Sequence, residues 1–106
     1  MNVKNTNINV TPEILKRLLG GELFVPVTIT AFSNGVCKAG TPIGADGTVK
    51  NDADVEGILL YDVYEENPNG SLVKAYATIN LANAEANSGL TIADAVKTKL
   101  ANVTFE

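Results

Sequence analysis

Residues 57–64 read GILLYDVY, and no other stretch of the chain predicts a β-strand so strongly. The stretch is apolar on both faces apart from Asp62, a pattern typical of a strand that is covered on both sides. After loop-forming residues at 67–70, a second strand pattern follows over residues 72–81. We therefore predict a central strand over residues 57–64 that forms a hairpin with residues 72–81.

The residues before this hairpin predict a more exposed part of the same sheet. From Glu22 the apolar residues recur with a period of two, as expected for a strand. Because proline lacks a backbone donor, Pro26 predicts that this strand lies at a sheet edge or starts near Pro26. Ser33-Asn34-Gly35 and Asp46-Gly47 predict tight turns. The segment between them is expected to form two short extended pieces that bend at Pro42.

Two helices are predicted, one near each end of the chain. Thr11 and Pro12 form a helix start, and the apolar stripe over residues 14–19 gives the helix one buried face. Thr91 with Asp94 resembles a capping box and predicts a second helix that ends near residue 101. The fold class is therefore mainly β with two short helices, a β-rich α+β domain.

The flanking segments complete this organisation. The Ala- and Asn-rich residues 83–89 are compatible with more than one structure, whereas the alternation at Val103 and Phe105 predicts that the chain returns to the sheet. A length of 106 residues with 45% hydrophobic content suits one core. We assign residues 11–106 to a single domain and residues 1–10 to an extended amino-terminal arm.

Composition argues against several functional classes. The net charge of −4 and the scattered Lys and Arg residues disfavour nucleic-acid binding. No apolar run reaches the length of a membrane span, and the amino terminus lacks the pattern of a signal peptide, so we expect synthesis in the cytoplasm and no membrane partner. The chain has no His, so the commonest general base is missing. We predict no enzymatic activity, no catalytic residues and no cofactor.

The remaining reactive groups have simple interpretations. Cys37 is the single cysteine and is expected to be a small buried hydrophobe. Residues 52–57 begin like a calcium loop, but position twelve falls on Val63 where a Glu is required, so we predict no metal site. Seven of the twelve carboxylates lie within residues 46–66. This acidic segment suits either a solvated surface or a basic partner, and a hydrolase with paired carboxylates is the weakest reading of it.

A family resemblance lies in two stretches. Residues 36–44 read VCKAGTPIG, and after an Asp-Gly turn and an acidic linker residues 55–63 read VEGILLYDV. This order resembles the head-decoration proteins of lambda-like bacteriophages and the head-fibre proteins of related tailed phages. The resemblance covers residues 36–64 and extends loosely to residue 81. The residues that match the family motif are Gly40, Thr41, Pro42, Gly57, Ile58 and Leu59.

The resemblance implies a small compact β-tulip-like domain and a function in the virion. It implies a homotrimer that binds the major capsid protein on the outer surface of an icosahedral capsid, with no cofactor. The helix predicted before the first strand and the lack of a long carboxy-terminal extension differ from head-fibre proteins and leave the subfamily open. For the arm, we predict that Val3, Ile8 and Val10 contact the capsid subunit.

A competing hypothesis comes from another functional class. The chain would be a carbohydrate-binding or adhesion module displayed on a particle or cell surface, and it would bind through the loops at 46–56 and 67–70. The low aromatic content, 6% of the residues with no Trp, argues against this hypothesis.

Overall fold

A computed structural model describes residues 14–17 and 22–106, and this part of the chain forms a small β-rich domain with two short helices. The predicted coarse fold class is therefore confirmed. The strands are β1 (Leu15–Arg17), β2 (Leu23–Thr28), β3 (Val36–Cys37), β4 (Pro42–Gly44), β5 (Val55–Leu59), β6 (Val63–Tyr64), β7 (Asn69–Ala75), β8 (Ala77–Ile79) and β9 (Val103–Phe105), and the helices are α1 (Leu81–Ser88) and α2 (Asp94–Lys99).

The largest sheet is antiparallel, with strand order β2-β7-β5-β4. The predicted central strand is confirmed, because β5 lies between β4 and β7 and Ile58 pairs with both Pro42 and Val73. The predicted edge position of Pro26 is also confirmed, since β2 is the outermost strand on its side of this sheet. The β2–β3 connection turns at Asn34 and Gly35, whose φ values of 55° and 79° suit a tight hairpin turn.

Both faces of the large sheet carry a hydrophobic core. Successive residues of a strand point to opposite faces, so Leu72 and Val73 of β7 enter two different clusters. The Val73 cluster includes side chains from α1, α2, β8 and β9. The Leu72 cluster packs against β3 and β6, which form a separate two-stranded sheet. The centre of the sheet is therefore covered on both sides, as the apolar pattern of β5 predicts.

Two predicted strands are each divided in the structure. The stretch GILLYDVY separates into β5 and β6, because Asp62 turns inward between them and accepts a hydrogen bond from the backbone N–H of Ala39. The strand predicted over residues 72–81 separates into β7 and β8 at Tyr76, whose φ of 59° is incompatible with continued extension. Each break moves the chain from the large sheet to a smaller one.

The helix predicted over residues 11–19 is wrong at Leu15–Arg17, which form strand β1. β1 pairs antiparallel with β8, and β8 pairs parallel with β9, so the predicted return of the carboxy-terminal residues to a sheet is confirmed. Ile14 is buried in the core beside this sheet. Strand pairing and burial here override a local apolar spacing that suits a helix. The other residues of the predicted helix lie outside the described part of the chain.

The two observed helices lie one after the other near the end of the chain. α1 falls on the segment that the sequence leaves open, and the Asn80 side chain caps it by accepting a hydrogen bond from the N–H of Asn83. α2 confirms the second predicted helix. Its predicted capping box is wrong, because the N-cap is Ala93, which has no capping side chain. The N–H of Ala93 instead donates to Asn51 Oδ1.

Candidate interaction surface

The family-motif residues come together in one buried unit around β4 and β5. Gly40 N donates to Leu59 O at 2.8 Å, and Leu59 N donates to Thr41 O at 3.0 Å. Pro42 pairs with Ile58 in the same ladder. All six motif residues, including Gly57, are buried. They are therefore structural residues, and their side chains are not accessible to a partner.

Both motif glycines lie where another backbone passes too close for a side chain. Gly40 has φ of 93°, and a Cβ there would lie 2.6 Å from the carbonyl oxygen of Ala84 in α1. A Cβ on Gly57 would lie 2.7 Å from the carbonyl oxygen of Val73. The bend before β4 thus packs directly on α1, and β5 packs directly on β7.

Asp62 links three parts of the molecule. Its Oδ1 accepts hydrogen bonds from Ala39 N at 2.7 Å and from Asn87 Nδ2 at 3.1 Å, and Asn87 Nδ2 also donates to Ala39 O at 2.9 Å. The Lys38 ammonium lies 4.0 Å from the other carboxylate oxygen. The carboxylate therefore joins the β5–β6 break, the bend at residue 39 and α1. A single carboxylate within an apolar stretch was the one signal of this role in the sequence.

Cys37 is buried beside this network, which confirms the predicted environment of the thiol. Burial and, secondarily, the negative charge of Asp62 raise the pKa of Cys37 above its ordinary value, while a hydrogen bond with Thr41 opposes this shift. The sulfur is therefore held as the neutral thiol at neutral pH, which is the weakly nucleophilic form.

Local contacts engage several carboxylates of the acidic segment. Asp46 Oδ1 accepts hydrogen bonds from Thr48 Oγ1 at 2.7 Å and Thr48 N at 3.1 Å, and these bonds lower the pKa of Asp46. Glu56 forms an ion pair with Lys74 at 2.9 Å. Within residues 14–17 and 22–106, no three His, Cys, Asp or Glu side chains form a group that could hold a metal ion.

An exposed apolar surface lies along β2, and sequence reasoning missed it. Phe24 pairs with Val73 across the large sheet, so the two side chains point to the same face, yet Phe24 is 40% exposed and Val73 is fully buried. Side chains on the outer part of β2 are therefore less completely covered than Val73. Exposed Leu23 and Tyr76 line one cavity of about 360 Å³ at the end of the strand. We call Leu23, Phe24, Pro26 and Tyr76 the β2 surface.

Two further tyrosines are exposed at the opposite end of the central strands. Tyr61 and Tyr64 are 61% and 52% exposed, and they flank the break at Asp62. Glu65 and Glu66, which follow Tyr64, are also exposed. Tyrosine combines a large apolar face with a polar hydroxyl and is common in binding surfaces. This end of the molecule therefore offers a second, acidic surface.

The arm residues Val3, Ile8 and Val10, which we predict to contact a capsid subunit, lie outside the described residues. Among the residues that the structure describes, no helix is long and apolar enough to cross a membrane.

No family model matches the chain, and neither a curated protein nor a solved structure matches it.

Proposed function

We propose that the chain is a structural virion protein that binds the outer surface of an icosahedral bacteriophage capsid as a homotrimer and stabilises or decorates it. The observation that carries this proposal is the β2 surface. Its apolar side chains adjoin a fully packed sheet but remain exposed, Leu23 to 43%, Phe24 to 40% and Tyr76 to 64%, and clustered exposed apolar residues of this kind mark sites of protein association. Aromatic anchors such as Phe24 and Tyr76 commonly supply most of the energy at such sites.

The edge position of β2 determines how this association would occur. Pro26 lies in the middle of the strand and cannot donate a backbone hydrogen bond, which hinders the addition of another strand at this edge. Contact between copies is therefore expected through side chains of the β2 surface. Three copies around a threefold axis would form a closed ring and bury these side chains against a neighbour.

A trimer would also explain how a small domain binds a capsid tightly. Expanded capsids present the same site several times around each threefold position, and a trimer that engages three sites gains affinity through effective concentration. The arm would add contacts: we propose that residues 1–10 pair with a sheet edge of the major capsid protein, with Val3, Ile8 and Val10 setting the register. Deletion of residues 2–10 should then abolish capsid binding without changing the number of chains in the assembly.

The direct test is to measure the protein in purified virions of the phage that encodes it. Quantitative mass spectrometry should find the chain at a near-stoichiometric ratio to the major capsid protein, and antibodies against it should label the outside of the particle. Virions that lack the chain, or that contain only a few copies, would refute capsid decoration.

A second candidate function is supported by the exposed Tyr61 and Tyr64. Aromatic faces stack on the apolar faces of sugars, and the exposed Asn67 and Asn69 follow at the end of the next turn and the start of β7. The candidate is a carbohydrate-binding or adhesion module. A glycan array probed with the native protein tests it, and Tyr64→Ala should remove any signal while Tyr76→Ala, at the other end of the molecule, should not. An array without signal would leave capsid decoration as the single proposal.

A further inference from the structure

A groove of about 640 Å³ is lined by residues that are separate from the β2 surface. It runs between residues 31–38, which include the β2–β3 turn, and residues 88–90 at the end of α1. Val49 also lines the groove. Its volume falls within the range of roughly 300–1,000 Å³ that is typical of small-molecule sites.

The lining of the groove is mainly apolar. Phe32, Val36, Val49 and Leu90 present hydrocarbon surface to it, and the buried Cys37 thiol also contacts it. Val49 is substantially exposed, so a ligand that covered it would remove apolar surface from water. This lining selects an apolar molecule over a sugar or a nucleotide.

One charged side chain, Lys38, is present among the lining residues. It is half exposed, and its ammonium lies 4.0 Å from Asp62, at the outer limit of an ion pair. Asp62 already accepts two hydrogen bonds from Ala39 N and Asn87 Nδ2, so it does not depend on Lys38 for partners. A ligand anion in contact with Lys38 would lie nearer to the ammonium than to Asp62, and attraction would therefore exceed repulsion.

We propose that this groove binds a small apolar monocarboxylate, such as a medium-chain fatty acid. The hydrocarbon chain would lie against Phe32, Val36 and Leu90, and the carboxylate would accept a hydrogen bond from Lys38 at the rim. The inference is independent of capsid decoration, because the groove is complete within one copy of the chain and is separate from the β2 surface.

The first experiment uses the full chain with decanoate and decanol, which have the same hydrocarbon length, in isothermal titration calorimetry. Decanoate should bind one site per chain and more tightly than decanol. Lys38→Gln should raise the dissociation constant of decanoate about tenfold, as expected for the loss of one exposed charge-assisted hydrogen bond. The affinity for decanol should be unchanged. Lys97→Gln on α2 makes the same charge change outside the groove and should affect neither ligand.

A second experiment locates the ligand. Val49→Trp should fill the groove and abolish decanoate binding, whereas Tyr61→Trp, at an exposed position outside the groove, should preserve it. Saturating decanoate should also slow the reaction of Cys37 with a thiol reagent, because the thiol lines the site. Equal affinities for decanoate and decanol, wild-type binding by Val49→Trp, or an unchanged thiol reaction rate would each overturn the proposal. These results are independent of the copy number measured in virions, so failure of ligand binding is distinguishable from failure of capsid decoration.

Discussion

Val73 and Phe24 are partners in the same sheet, yet one is fully buried and the other is 40% exposed. Val73 lies on β7 beneath side chains from both helices, whereas Phe24 lies one strand further out and is outside both described core clusters. The sheet is therefore complete at its centre and incomplete at its β2 edge. The difference separates the residues that hold the fold together from those that are available for association.

Substitutions at the centre of the sheet and at the β2 surface should have different consequences. A truncated side chain at the centre leaves a cavity that the close-packed interior fills only in part. A truncated side chain at the β2 surface leaves no cavity, because that side chain already contacts water. Stability measurements and association measurements should therefore respond to different residues.

The largest expected effect is at the centre of the sheet. Ile58→Ala removes a fully buried side chain between Pro42 and Val73 and should lower the free energy of unfolding by about 2–5 kcal/mol in urea or guanidinium titrations. Val49→Ala, at an exposed aliphatic position, is the control and should change it by less than about 0.5 kcal/mol. Similar losses in both variants would contradict the assignment of the core.

Asp62→Ala should have the next largest effect. It leaves the N–H of Ala39 and one Asn87 donor without their carboxylate acceptor, which should cost about 1–3 kcal/mol in free energy of unfolding. Glu65→Ala removes the same charge from an exposed position and should be nearly neutral. If the two variants were equally stable, the Asp62 hydrogen bonds would not stabilise the fold.

Phe24→Ser tests the uncovered edge itself. The unfolding free energy of dilute protein should fall by about 1 kcal/mol, because the side chain lies outside the core clusters and the main loss is its cross-strand pairing with Val73. Association between copies should weaken at least tenfold, as expected when an aromatic anchor is lost. Sedimentation velocity over a range of concentrations measures this change. A variant that associates like the wild type would exclude Phe24 from the interface.

The smallest expected effect is the pH response of Asp46. Its hydrogen bonds with Thr48 lower its pKa below the ordinary value of 3.8, so the stabilisation they give is present above that value and is lost as pH falls through the folded-state pKa. Thr48→Val should raise the Asp46 pKa in an NMR titration of the side-chain carboxyl. Thr104→Val, on β9, should leave that pKa unchanged, and a Thr48→Val titration curve identical to wild type would show that the hydroxyl has no effect.

Local sequence patterns predicted much of the structure of the large sheet. The two-sided apolar pattern gave the position of β5, Pro26 gave the edge, and Asn34-Gly35 gave the hairpin turn. These features depend on side-chain periodicity and turn geometry, which a single sequence reveals.

Features that depend on distant contacts were not predictable in this way. The breaks at Asp62 and Tyr76 depend on hydrogen bonds and sheet changes, and β1 depends on pairing with β8, far along the chain. Alternation over β2 separated Val25 and Val27 from Pro26 and Thr28 but did not reveal which of the two faces stays more exposed. The candidate surface therefore emerged only from the three-dimensional arrangement.

The central claim is that this chain assembles into a structural trimer through its uncovered edge. Light scattering coupled to size-exclusion chromatography of the native protein at micromolar concentration tests it most directly. We expect a molar mass of about three times the chain mass of 11.1 kDa. A single species with the mass of one chain would contradict it.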